Sequence, residues 1–145
     1  VEYALSEGAV IVTSAGNEGQ PAATMPHWPA AFSVANSPQL VSVTSYNYPP
    51  GGFPELDPVL SSFANFGLFT TNLAAYLTAK TPTYNGPMDD FSYLTGTSIS
   101  APLFAARVGR ALSEGVSMGD LISSLPASGS LTAEVQNGAY LPVCE

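Results

Sequence analysis

The sequence predicts an α/β fold with a largely parallel sheet, and two adjoining observations carry that expectation. Val1 to Glu7 reads as the last turns of a helix, stopped by Gly8, a usual residue just past a helix end. Ala9-Val10-Ile11-Val12-Thr13 follows at once, β-branched and uncharged, as in strands buried on both faces. A helix feeding directly into such a strand belongs to an α/β unit. The strand that would open the unit lies before Val1, so the sheet, with its flanking helices, is expected to be incomplete in this chain.

Ser14-Ala15-Gly16-Asn17-Glu18-Gly19 then falls at the carboxyl end of the strand, where open α/β sheets bind ligands. Asn17 reads either as a turn residue or as an amide that points its NH2 into a site. Gln20 to Ala31 is a Pro- and Ala-rich loop holding the only histidine, His27, beside Trp28. A lone histidine is usually a loop or packing residue, and the alternative is a catalytic base. Leu40 to Tyr46 alternates and predicts a second strand. Tyr48 to Pro58 is a Pro- and Gly-rich loop, with Glu55 and Asp57 solvated. Thr78 to Pro87 is expected to be a loop leading to Asp89 and Asp90.

Phe91-Ser92-Tyr93-Leu94 alternates briefly, and Gly96-Thr97-Ser98-Ile99-Ser100-Ala101-Pro102 opens the most apolar helix candidate, Ser98 to Ser113. Leu103, Phe104, Val108, Ala111 and Leu112 are expected to supply its buried surface. Ala101, Ala105 and Ala106 would admit neighbouring backbone, and Arg107, Arg110 and Glu114 mark the wetter side. Pro102 has no N–H and should distort the first turn. Gly115 ends this helix. Ser117 caps a short one through Leu125, with Asp120 in the capping-box position. Gly129 to Glu145 reads as irregular or short strands with an Asn137-Gly138 turn.

With 145 residues, no linker and no repeat, the chain is read as one domain, residues 1–145. Its net charge is −8, with Lys80, Arg107 and Arg110 the only cations. That balance argues against nucleic acid and against anionic membrane surfaces as partners. No apolar run approaches a membrane span, and no basic-then-apolar leader is visible. Cys144 is the single cysteine, so it is free or pairs outside the chain. Low charge and many small residues lean toward secretion. The start at Val1, without methionine, suggests a processed product or a fragment.

Ser98 is well placed for chemistry. A serine on a Gly-Thr turn at a helix start sits among unpaired N–H groups, where the helix dipole favours developing negative charge. The plainer reading is that Thr97 or Ser98 caps the helix. The residues Gly96-Thr97-Ser98, Ser100, Pro102, Ala105 and Ala106 together resemble the nucleophile signature of the subtilisin-like serine proteases, the subtilases. Ser14-Ala15-Gly16-Asn17-Glu18-Gly19 resembles the oxyanion segment of that family, in the family's chain order. Leu60-Ser61-Ser62-Phe63-Ala64-Asn65-Phe66-Gly67 is similar to its Ser-Phe-Ser-Asn-X-Gly segment. Leu73-Ala74-Ala75-Tyr76 falls where the family has Ala-Pro-Gly, with Tyr76 in place of the proline.

The resemblance covers Val1 to Leu125 and matches the C-terminal half of the family's catalytic domain. It implies a subtilisin-like fold and serine endopeptidase activity through an acyl-enzyme. Ser98 would be the nucleophile, with Asn17 and the Ser98 N–H as the oxyanion hole. Ser14, Ala15 and Gly16 would form one wall of the substrate cleft. No cofactor is required for that chemistry and no metal ligand set is seen, although a structural calcium held by carbonyls occurs in some members. The implied partners are a peptide or protein substrate and an upstream segment carrying the catalytic Asp and His, since the family's order is Asp, His, Ser. Neither of those two motifs stands in this sequence.

Other readings remain. The chain could keep the scaffold without catalysis, as a binding module. It could act alone with His27 as base, oriented by Asp89 or Asp90. The sedolisin-like acid peptidases share a similar nucleophile motif, but they carry Asp where this chain has Asn17.

Overall fold

The computed structural model describes residues 1–33, 38–50, 56–67, 73–76, 78–82 and 91–142. Helix α1 (Glu2–Ser6) runs into strand β1 (Ile11–Ser14), as the helix-to-strand junction predicts. Two backbone bonds close the helix end, from Gly8 N to the Leu5 carbonyl and from Ala9 N to the Ala4 carbonyl, each 3.0 Å. This is the Schellman arrangement, which satisfies carbonyls the helix leaves open.

The main sheet is built around β2 (Leu40–Asn47). β1 pairs with it in parallel, Ile11 opposite Leu40 through Ser14 opposite Val43. β4 (Leu73–Tyr76) also pairs in parallel, Val43 opposite Leu73 through Tyr46 opposite Tyr76. Among the described residues only the short β3 (Val59–Leu60) runs antiparallel to β2, at its far end. The fold is therefore α/β with a small, largely parallel sheet. Every residue of β2 from Leu40 to Tyr46 is buried, as suits a central strand covered on both faces.

The period of two sorts β2 into two cores. Val41 and Val43 join Ala75, Phe104, Val108 and Leu121, among others, in one apolar cluster. Tyr46 points the other way, into a second cluster with Leu131 and Val135. Its ring meets Tyr48 and Tyr140 edge to face, both at 5.6 Å, and its hydroxyl donates to the Leu141 carbonyl at 2.8 Å. Burial, then the neighbouring Tyr48 and Asp57, pushes the Tyr140 phenol above its ordinary value.

Helix α2 spans Thr97–Ser113. Ala101, Phe104, Val108 and Ala111 are its buried apolar residues, three or four apart, and form the stripe laid on the sheet. The expected stripe is corrected at its edges. Leu112 is exposed and Leu103 only half-buried, because both fall off the 101–104–108–111 line. Ala105 and Ala106 are exposed too, so among the described residues no backbone packs on them. Pro102 does not break the helix, which continues through it. It lies in the second turn, and its missing N–H removes the usual i+4 donor from the Ser98 carbonyl. A second Schellman pair, Gly115 N to Leu112 and Val116 N to Ala111, ends α2. Arg110 and Glu114 form the expected pair at 2.9 Å on the exposed side.

Helix α3 (Met118–Ser124) is capped by Ser117, whose Oγ accepts from Asp120 N at 3.1 Å. The box closes differently from expectation. Ser117 Oγ donates to Asp120 Oδ2 at 2.6 Å, because Asp is a methylene too short for the usual return bond. Beyond α3 come two 3-10 turns, Gly129–Leu131 and Gln136–Gly138, and an Ala127–Ala139 bridge. Asn137 and Gly138 both have positive φ, as the Asn-Gly turn requires.

Two further expectations are corrected. Thr78–Pro82 is not loop but strand β5, paired antiparallel with β6 (Phe91–Thr95) from Thr78 opposite Thr95 to Pro82 opposite Phe91. The alternating run at 91–95 needs a ladder partner for its backbone, and Pro82, which cannot donate, stands at the strand end. β1 is half-buried along its length instead of fully buried, since among the described residues it pairs on one edge only. Glu55, Asp89, Asp90 and Cys144 lie outside the described residues.

Phe104 has no exposed surface and sits at the centre of the sheet–helix cluster. Replacing Phe104 by Ala removes most of that ring and leaves a cavity. The expected loss is about 3–5 kcal/mol of stability, read as a shifted midpoint in urea unfolding.

Candidate active site

The site forms where the carboxyl end of β1 meets the N-terminus of α2. Strand pairing continues one residue past β1, with Ala15 N donating to the Val43 carbonyl at 2.9 Å. The chain then turns away through Gly16, whose N–H reaches Thr97 Oγ1 at 3.2 Å. Gly16 has φ +105, and a Cβ there would collide with Asn65 Nδ2 and Glu18 Oε2. Backbone conformation and close packing both demand glycine at this turn.

Asn17 is tied to the helix start by its side-chain oxygen. Oδ1 accepts from Thr97 N and from Thr97 Oγ1, each at 3.0 Å. Two donors on that side place the oxygen there and turn the NH2 the other way. Asn17 thus caps α2 from a distant segment. The local cap residue is Gly96, which offers no side chain, and Thr97 and Ser98 lie inside the helix. The reading of Thr97 or Ser98 as a cap is corrected on that ground. What the sequence reading missed is Thr97, whose hydroxyl accepts from Gly16 and donates to Asn17. Its place directly before Ser98 was the available signal.

Ser98 is exposed, on the second residue of α2. Its Oγ and Asn17 Nδ2 both lie 3.5 Å from the point where a Cβ on Gly96 would stand. Thr97 N is taken by Asn17, and Ile99 N and Ser100 N by the Gly96 carbonyl at 2.9 and 3.1 Å. Among the described residues the Ser98 N–H and the Asn17 NH2 have no partner. Two unspent donors therefore flank one exposed hydroxyl at a helix N-terminus. Such a set can hold developing negative charge on an oxygen beside a nucleophile.

Gly96 has φ +148 and ψ 164, a region populated essentially by glycine. Gly96→Ala should cost about 1–3 kcal/mol, seen as a lower thermal midpoint.

Ser14, the last residue of β1, is half-buried, and Ala15 and Gly16 after it are buried. The His27 ring packs on Gly16, its Cγ 3.2 Å from the position of a Cβ there. Neither the His27 imidazole nor the Ser98 hydroxyl has a hydrogen-bond partner among the described residues, so the two are not joined. Among the described residues no cluster of three His, Cys, Asp or Glu side chains stands together for a metal, and no helix is long and apolar enough to cross a membrane.

A profile described as the subtilase family matches residues 1–120. No curated protein matches the chain. Among solved structures, the A-subunit of the AB5 toxin from E. coli is similar with TM-score 0.77 and 18% identity, over 97% of this chain and 50% of that one. A structure of the subtilase cytotoxin SubAB assembly is similar with TM-score 0.72 and 20% identity, over 91% and 46%. The prenylagaramide maturation protease PagA is similar with TM-score 0.61 and 17% identity, over 88% and 44%. The chain thus spans about half the length of each, and the likeness is one of fold.

Proposed function

Because this chain belongs to the subtilase family, with residues 1–120 matched, we propose that it is the nucleophile-bearing half of a serine endopeptidase. Ser98 Oγ attacks the scissile carbonyl carbon and forms an acyl-enzyme, which water then hydrolyses. The hydroxyl proton goes to a histidine base oriented by an aspartate, both on the segment that precedes this chain in the family's order. The tetrahedral oxygen accepts from the Ser98 N–H and from Asn17 Nδ2. Residues 14–16 line the cleft, and a substrate strand adds along them by backbone pairing.

The observation that carries this reading is the pair of unspent donors beside Ser98, held in place by Thr97. Two surfaces are suited to a segment carrying the base. Among the described residues β1 pairs on one edge only, which leaves its other edge for a further strand, and the exposed Ala105, Ala106 and Gly109 leave room for close packing on α2.

The test is hydrolysis of a quenched fluorescent peptide library. A preparation joined to its Asp- and His-bearing segment should cleave peptides, and residues 1–145 alone should not. Cleavage by the isolated chain would overturn the assignment of the base to another segment. No cleavage by the joined protein, properly folded, would favour a scaffold without catalysis.

A further inference from the structure

Asn65 lies 50 residues from the oxyanion loop in sequence and is fully buried beneath it. Its side chain is satisfied on both sides by that loop. Oδ1 accepts from Glu18 N at 3.1 Å and from Gln20 N at 3.0 Å. Nδ2 donates to the Ala15 carbonyl at 3.1 Å and to Glu18 Oε2 at 2.5 Å. Its backbone N–H reaches the Gly16 carbonyl at 3.0 Å. Asn65 is itself pinned from below, where Thr44 Oγ1 of the central strand donates to its carbonyl at 2.5 Å.

These bonds bracket Asn17. Ala15, Glu18 and Gln20 are held by the buried Asn65 side-chain amide and Gly16 by the Asn65 backbone N–H, while Asn17 itself is bound by neither. A loop pinned at both shoulders presents its middle residue at a fixed height. Only Thr97 then needs to set the rotation of the Asn17 amide. Buried networks in which every polar atom is paired are rigid, and removing the centre would orphan two loop N–H groups and a carbonyl.

We propose that Asn65 is a positioning residue for the oxyanion donor, transmitting the rigidity of β2 to Asn17 through the 15–20 loop. The inference rests on the assignment of Asn17 made above. It assigns Asn65 no contact with substrate.

The test uses the protease joined to its Asp- and His-bearing segment, with active sites counted by a fluorophosphonate taken to completion. Asn65→Ala should lower kcat per active site about 10- to 100-fold and leave KM nearly unchanged. In the Asn17→Ala background the same substitution should cost almost nothing further, because the donor it positions is gone. A normal kcat per site with only a lower Tm would overturn the proposal, as would equal losses in both backgrounds. Should Asn65→Ala fail to fold, Asn65→Asp serves instead. It keeps the acceptor for the Glu18 and Gln20 N–H groups but sets a carboxylate against Glu18. Adding Glu18→Gln should then restore much of the lost kcat, and no restoration would overturn the proposal. Ser98→Ala separates the two levels: retained hydrolysis there removes the underlying assignment, whatever Asn65 does.

Discussion

Ser98→Ala should abolish peptide hydrolysis by the joined protease and leave its unfolding midpoint unchanged. The activity loss should be on the order of a millionfold, a magnitude that belongs to subtilisin itself and is carried to this chain through family membership. The stability side follows from this structure. Ser98 is exposed, and its hydroxyl bonds to no described residue. Removing one exposed oxygen should therefore move stability by less than about 0.5 kcal/mol. Unfolding in urea and steady-state hydrolysis check the two halves separately. A variant that unfolds would place Ser98 in the packing, and a variant that still hydrolyses would remove it from the chemistry.

Asn17→Ala should lower kcat about 10²–10³-fold, again a figure measured on subtilisin, with little change in KM. Here the structure adds a second effect. Asn17 Oδ1 is the distant cap of α2, accepting from Thr97 N and Thr97 Oγ1. Its loss should also cost about 0.5–2 kcal/mol of stability. Asn17→Asp separates the roles. The carboxylate keeps the cap and suits the helix dipole, so stability should hold or rise. It has no N–H to give and sets negative charge beside the developing oxyanion, so turnover should still collapse. Parallel loss of activity and stability across both variants would mean that Asn17 matters only as a cap.

The elements that local pattern governs were legible in the sequence. The Gly8 stop, the β-branched run after it and the alternation of 40–46 each predicted an observed element within a residue or two. The apolar spacing of α2 predicted Phe104 and Val108 in the core, because helix period alone decides which residues share a face. Leu103, Leu112, Ala105 and Ala106 were misjudged because burial depends on what packs against a helix, and the sequence of one element does not contain that. β5 was missed because its pattern is weak on its own and becomes a strand only with 91–95 opposite.

At the candidate site, the motifs marked Ser98 and Asn17, and the structure sets both around Gly96. Thr97 was read only as a cap or motif residue and Asn65 only as part of a family-like segment, so neither was given its role in holding the 15–20 loop. Their importance lies in bonds spanning 80 and about 50 residues, and no spacing rule reads such distances. His27 was open as a base, and the structure places its ring on Gly16, unbonded to Ser98.

The measurement that tests the central claim most directly is labelling of the joined protease with a fluorophosphonate, followed by peptide mapping. Phosphonylation of Ser98, lost in Ser98→Ala, is the result expected of an activated serine beside two oxyanion donors. A folded, peptide-cleaving preparation that labels at another serine would contradict it.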